Sequence, residues 1–160
     1  MKLCDTLKED TIVVPLNATD RDSTIEELLN KLVSNNILTT TSMLVEYIKD
    51  LENNQSTAAG KGVAYPHSTS IEVTGIQTIL GISKSGVDYN APDKQLCHFI
   101  LLTLTPQDLP NKHRKFITLF RTMIDDSLIR TMILDSNNNI NVLRIINKWD
   151  AKQISSDELE

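Results

Sequence analysis

Cysteine is nearly missing from this chain. Cys4 and Cys97 are the only two and lie far apart, which leaves neither a disulfide framework nor a thiolate metal site and fits a reducing compartment, so the cytoplasm is the expected location. Positive charge is not in excess: 16 Lys and Arg stand against 21 Asp and Glu, a formal net charge of −5, which argues against nucleic-acid partners held by a basic field. No run approaches the roughly 20 apolar residues of a membrane span. The opening Met1-Lys2-Leu3-Cys4-Asp5-Thr6 lacks the apolar core of a secretory signal, so no direct membrane insertion is expected. Internal repeats are absent. So are the Rossmann fingerprint, the Walker loop and the G-x-S-x-G motif of hydrolases, and the three histidines lack zinc-ligand spacing, so no cofactor and no metal is expected.

What is present reads as one globular domain of 160 residues, 40% apolar and 23% charged. Helical and extended patterns alternate, predicting an α/β fold. Residues 11–16 read as a strand. Ser23-Thr24-Ile25-Glu26 reads as a capping box, ahead of Ile25, Leu28, Leu29, Leu32 and Val33 at helical spacing. A second helix follows from Leu44, Tyr47, Ile48 and Leu51. Residues 73–82 and 95–104 are β-branched or apolar runs of a largely buried sheet, with turns at Ser85-Gly86 and Asn90-Ala91-Pro92-Asp93 between them. The last third is helical from Phe116 to Ile133 and again, after Asn137-Asn138-Asn139, through Trp149, whose apolar stripe marks it for packing. The expected boundaries are an N-terminal extension at 1–10, the domain at 11–150 and an acidic tail at 151–160.

Gly60-Lys61-Gly62-Val63-Ala64-Tyr65-Pro66-His67 is the most informative stretch. Glycines at 60 and 62 permit backbone angles closed to other residues and allow close approach of a ligand, while Pro66 fixes its own φ and pushes Tyr65 into an extended conformation. His67 is thereby delivered to the mouth of a strand, where an imidazole can act as nucleophile, base or metal ligand, or serve simply as a turn residue.

His113 follows Pro110-Asn111-Lys112, with Asn111 a candidate N-cap that would set His113 in the first turn of a helix. Such a terminus favours an anion and keeps a nearby imidazole neutral. A solvated histidine on a polar helix start is the alternative. His98 lies within Leu96-Cys97-His98-Phe99-Ile100 and reads as a packed or edge residue outside the site.

The stretch ending at His67 resembles the G-x-G-[IV]-A-x-P-H signature of the type-2 enzyme IIA domains of the bacterial phosphoenolpyruvate-dependent phosphotransferase system, the fructose, mannitol and nitrogen-regulatory branch. The likeness runs from about Thr11 to about Trp149. Ser56-Thr57 matches a family S-T, Ile79-Leu80-Gly81-Ile82 a following strand, and Leu101-Leu102-Thr103-Leu104-Thr105-Pro106 the strand before the family's second histidine, which falls on His113. The resemblance implies a single α/β domain with a mixed central β-sheet flanked by α-helices. It also implies that His67 accepts a phosphoryl group from the histidine-containing phosphocarrier protein and passes it to an enzyme IIB or holds it as a signal to regulated target proteins. His113 is then the auxiliary group, and Ser56, Thr57, Gly60 and Gly62 are the expected phosphoryl-binding residues.

One departure stands out. Where many relatives carry R-E about six residues before the T, this chain has Leu51-Glu52, and Leu51 continues an apolar helix face and so is expected in the core. A guanidinium is the natural partner of a phosphohistidine. Lys61, Lys112 and Arg114 are the candidate substitutes, although a lysine is a point charge without a planar fork. The primary expectation is a phosphocarrier of the nitrogen-regulatory type, the expected type for a chain with no transporter domain fused to it. The alternatives are a regulatory protein-binding module with impaired phosphotransfer and a sugar-specific subunit.

Overall fold

A nine-residue strand that is apolar on both faces organises the molecule. In the computed structural model, which describes residues 1–108 and 110–157, five strands form one mixed sheet: β1 (Ile12–Val13), β2 (Val63–Ala64), β3 (His67–Thr69), β4 (Gln77–Val87) and β5 (Cys97–Thr105). β4 pairs antiparallel with β5, whereas β1 runs parallel to β4, and β2 and β3 run parallel to β5. Every residue of β5 except His98 is buried, as expected of a strand covered on both sides.

Alternation along the strands feeds two cores. Phe99 and Leu101 of β5, with Leu80 and Ile82 of β4, pack under α3 (Pro110–Ile124), α4 (Ser127–Asp135) and α5 (Asn139–Asp157). Ile100, Leu102 and Leu104, with Ile79, pack under α1 (Arg21–Ser34) and α2 (Ser42–Asn54). The expected mixed sheet flanked by helices is what the chain forms. Trp149 is buried in the first of these cores.

Several boundaries shift, each for a local reason. Asp20, not Ser23, caps α1: its carboxylate accepts the Ser23 backbone N–H and hydroxyl, each at 2.9 Å. β1 is shorter than residues 11–16, since residues 9–11 form a 3-10 turn and Pro15 has no N–H to give a ladder. Ser85-Gly86 is not a turn but part of β4, inside a register shift between Ile82 and Val87. The 73–82 strand starts at Gln77. The long C-terminal helical pattern breaks at Asp126, whose carboxylate caps α4 through the Leu128 and Ile129 N–H groups.

Residues 1–10 are not an extension standing outside the domain. Leu3 and Leu7 are fully buried against Phe116 and Trp149, and the buried Asp150 carboxylate accepts the Leu3 and Cys4 N–H groups at 3.1 and 2.9 Å. At the other end α5 continues to Asp157, so residues 151–157 of the expected tail are helical, and 158–160 lie outside the described residues.

The glycine loop before β2 is built from left-handed backbone. Gly60, Lys61 and Gly62 take φ values of 82°, 54° and 73°, and the Gly62 carbonyl accepts the His98 and Phe99 N–H groups at 2.8 and 3.1 Å, which starts the parallel pairing with β5. A Cβ at Gly62 would lie 3.1 Å from the Leu96 carbonyl oxygen and 3.3 Å from His98 Cδ2. Gly62→Ala is therefore expected to destabilise the fold by about 1–2 kcal/mol in urea titration. Gly75→Ala, where nothing lies within 4 Å, should leave the midpoint unchanged or slightly raised.

Candidate functional site

His67 opens β3 because Tyr65-Pro66 interrupts what would otherwise be one strand. Pro66 has no N–H to give a ladder, which an edge position tolerates, and its carbonyl accepts the Thr103 N–H at 3.0 Å. His67 is then in register with Thr103 and its side chain is exposed. Its Nδ1 lies 3.0 Å from the Tyr65 carbonyl oxygen. A carbonyl only accepts, so Nδ1 carries the proton and Nε2 keeps its lone pair.

His113 reaches the same point from α3. The helix α3 begins at Pro110, a residue suited to a first helical position, and Asn111 lies inside it and does not cap it. The His67 and His113 rings stand 5.0 Å apart between centroids, tilted by 40°. His113 Nε2 is buried and has no hydrogen-bond partner among the described residues. Burial, reinforced by His67 and Arg114, pushes the His113 pKa down to about 4, so the ring is neutral at physiological pH.

A cleft of about 360 Å³ lies at this point, lined by Leu51, Glu52, Gln55, Ser56, Thr57 and His67. Ser56 accepts the Ala58 N–H at 3.2 Å and retains its own hydroxyl proton for another acceptor. The Thr57 hydroxyl and N–H both point away to the Glu52 carboxylate.

Gly60 and Gly62 do not line this cleft. Val63 pairs with Phe99 and His67 with Thr103, four residues along β5 and about 13 Å at the usual strand rise, so the glycines shape the start of the strand and do not touch a group on His67. Lys61 shares that distant end, where its Nζ lies 3.4 Å from Asp125 Oδ1. Lys112 and Arg114 are exposed on α3 on either side of His113.

Two residues depart from the sequence reading. Leu51 is not in the core: it is 37% exposed and forms part of the cleft wall, because α2 turns Val45, Ile48 and Glu52 toward the sheet and leaves Met43, Tyr47 and Leu51 outside. Glu52, which matches the glutamate of the family's R-E pair but has no role assigned from the sequence, is 3% exposed and lines the cleft. His98 is a satisfied residue of the interior strand β5, its Nδ1 donating to the Ser83 carbonyl at 2.8 Å. Among the described residues no group of three or more His, Cys, Asp or Glu is arranged to hold a metal ion, and no helix is long and apolar enough to cross a membrane.

Residues 5–149 match the family described as the phosphoenolpyruvate-dependent sugar phosphotransferase system, EIIA 2. The fructose-specific EIIABC component of the phosphotransferase system of Bacillus subtilis is 27% identical over 150 residues, which is 94% of this chain but only 24% of that protein, so the chain spans about a quarter of its length. The nitrogen regulatory protein IIA-Ntr of Neisseria meningitidis superposes with a TM-score of 0.78 at 21% identity, covering 89% of this chain and 97% of that one. The mannitol enzyme IIA of Escherichia coli, in its complex with phosphorylated enzyme IIB, superposes with a TM-score of 0.74 at 17% identity, covering 89% and 98%. These two structural likenesses concern the fold.

The His113 environment has a measurable signature. Its folded value of about 4 lies below the ordinary 6.5, so on acidification the unfolded chain takes up the proton first and stability is lost as pH falls from 6.5 toward 4. Urea midpoints at about pH 7 and about pH 4.5 should therefore fall more for wild type than for His113→Gln. Equal falls would contradict the buried neutral ring.

Proposed function

Because the chain belongs to the EIIA 2 family of the phosphoenolpyruvate-dependent sugar phosphotransferase system, we propose that it accepts a phosphoryl group on Nε2 of His67 from the histidine-containing phosphocarrier protein. One observation carries this reading: the Tyr65 carbonyl fixes the Nδ1 proton, which leaves a nucleophilic nitrogen in an open cleft beside the His113 Nε2, unpartnered among the described residues.

The step balances simply. The Nε2 lone pair forms the N–P bond as the donor's N–P bond breaks, and that electron pair returns to the donor's ring nitrogen. His67 then holds a proton on Nδ1 and the phosphoryl group on Nε2, a cationic ring stabilised by the Tyr65 carbonyl. Such a ring is a good leaving group, so the same hydrogen bond that selects the nucleophilic nitrogen keeps the phosphoryl group transferable. His113, neutral, offers an N–H to a phosphoryl oxygen, the Ser56 hydroxyl offers an O–H, and the N-terminal turn of α3 adds its dipole. The protein's contribution is positioning and charge stabilisation.

Downstream, the primary reading remains the nitrogen-regulatory type, in which the phosphorylated state of His67 is a signal to target proteins. A second reading, a sugar-transport subunit handing the group to an enzyme IIB, is favoured by the fructose-specific relative. In both, the site handles only phosphate and protein surfaces.

Incubation with phosphoenolpyruvate, enzyme I and the histidine-containing carrier should add one phosphoryl group to wild type by intact mass at alkaline pH. His67→Ala should add none, and His113→Ala should label at least about tenfold more slowly. Labelling that survives His67→Ala would sink the assignment.

A further inference from the structure

Glu52 is a charged residue in a place where charges are rare. It is 3% exposed, its two carboxylate oxygens accept the Thr57 hydroxyl and, at 3.0 Å, the Thr57 N–H, and it lines the same cleft as His67. Both oxygens act as acceptors, the pattern of an ionised carboxylate. Among the described residues no ion pair reaches it. A buried negative charge is ordinarily paired with a cation, and this one is held by hydrogen bonds alone.

Its surroundings register that charge. The neighbouring Tyr89 hydroxyl is fully buried, and burial together with the Glu52 carboxylate raises its pKa well above the usual range, against smaller opposing effects of Thr57 and Arg21. On the solvent side, Leu51 supplies the cleft with an aliphatic wall. A phosphoryl group on His67 brings close to two further negative charges into this cleft. The lining offers it hydroxyls, an amide and an aliphatic chain, but no lysine or arginine.

We propose that Glu52 is an electrostatic positioning residue that keeps the phosphoryl group on His67 at high transfer potential, by clamping the Ser56-Thr57 turn and by setting an uncompensated negative charge behind it. The proposal rests on phosphorylation of His67 and adds what determines the lifetime of that state. Repulsion between the carboxylate and the phosphoryl oxygens raises the energy of the phosphorylated form relative to the free imidazole. Leu51 keeps this effect unscreened. The phosphoryl group on this chain is therefore short-lived and easily passed on, and a cation brought by a docked partner would be the means of steadying it.

The experiment compares wild type, Glu52→Gln and Leu51→Arg, each phosphorylated through the carrier protein. It follows the decay of the phosphorylated species at neutral pH by intact mass, and the equilibrium distribution of phosphoryl groups between the carrier and this chain. Glu52→Gln removes the charge but keeps the side-chain shape, and Leu51→Arg adds a cation at an exposed position that folding tolerates. Each should lengthen the half-life about three- to tenfold and shift the equilibrium toward this chain. A purely structural role would act oppositely, since loosening the turn admits water and shortens the half-life. Lifetimes within twofold of wild type for both variants, or a shortened one for Leu51→Arg, would overturn the proposal. If Glu52→Gln fails to fold, Leu51→Arg decides. Failure of wild type to label would instead count against phosphorylation of His67, a separate and distinguishable outcome.

Discussion

The parallel pairing of the 63–69 segment with β5 is the interaction on which the rest depends. β5 is satisfied on one edge by β4 and on the other by a strand broken in the middle. The first half is anchored by the Gly62 carbonyl and the second by the Pro66 carbonyl, each accepting an N–H from β5. The break at Tyr65-Pro66 turns the Tyr65 carbonyl onto the His67 ring, and Tyr65 itself is fixed by an edge-to-face contact with Phe120 of α3 at 6.1 Å. Because α3 also carries His113, one packed aromatic pair ties the two histidines to a common frame. The glycines contribute at a distance, by allowing the loop that starts the pairing.

Electrostatically the site is lopsided. A neutral His113 and the start of α3 stand on one side of His67, with exposed Lys112 and Arg114 nearby. On the other side stand an apolar Leu51 and a buried carboxylate. A site built to store phosphate would be expected to enclose it in fixed cations. This arrangement instead suits a group in transit, selected by one oriented nitrogen and released without a strong counter-charge to break.

Much of this was legible in the sequence, and what was not has identifiable causes. The buried strands declared themselves through β-branched runs, and His67 through the rigid dipeptide before it. The α2 face was misjudged because Leu44, Tyr47, Ile48 and Leu51 match helical spacing as well as Val45, Ile48 and Glu52 do. Nothing local says that a glutamate will occupy the inner position, since its stability depends on donors from Thr57, five residues on. The first ten residues look polar and separate, yet their two leucines complete a core that takes Phe116, Phe120, Val142, Ile146 and Trp149 from more than a hundred residues away. Tertiary satisfaction of polar groups is the common thread: Asp20, Glu52 and Asp150 each take backbone N–H groups that periodicity cannot foresee.

In this reading the Tyr65 carbonyl selects Nε2 of His67 as the phosphoryl acceptor. Phosphorylating protein labelled with nitrogen-15 in histidine and recording long-range nitrogen and phosphorus couplings tests it directly. Nε2 of His67 should couple to phosphorus while Nδ1 keeps its proton. A coupling at Nδ1, or at His113 or His98, would contradict it.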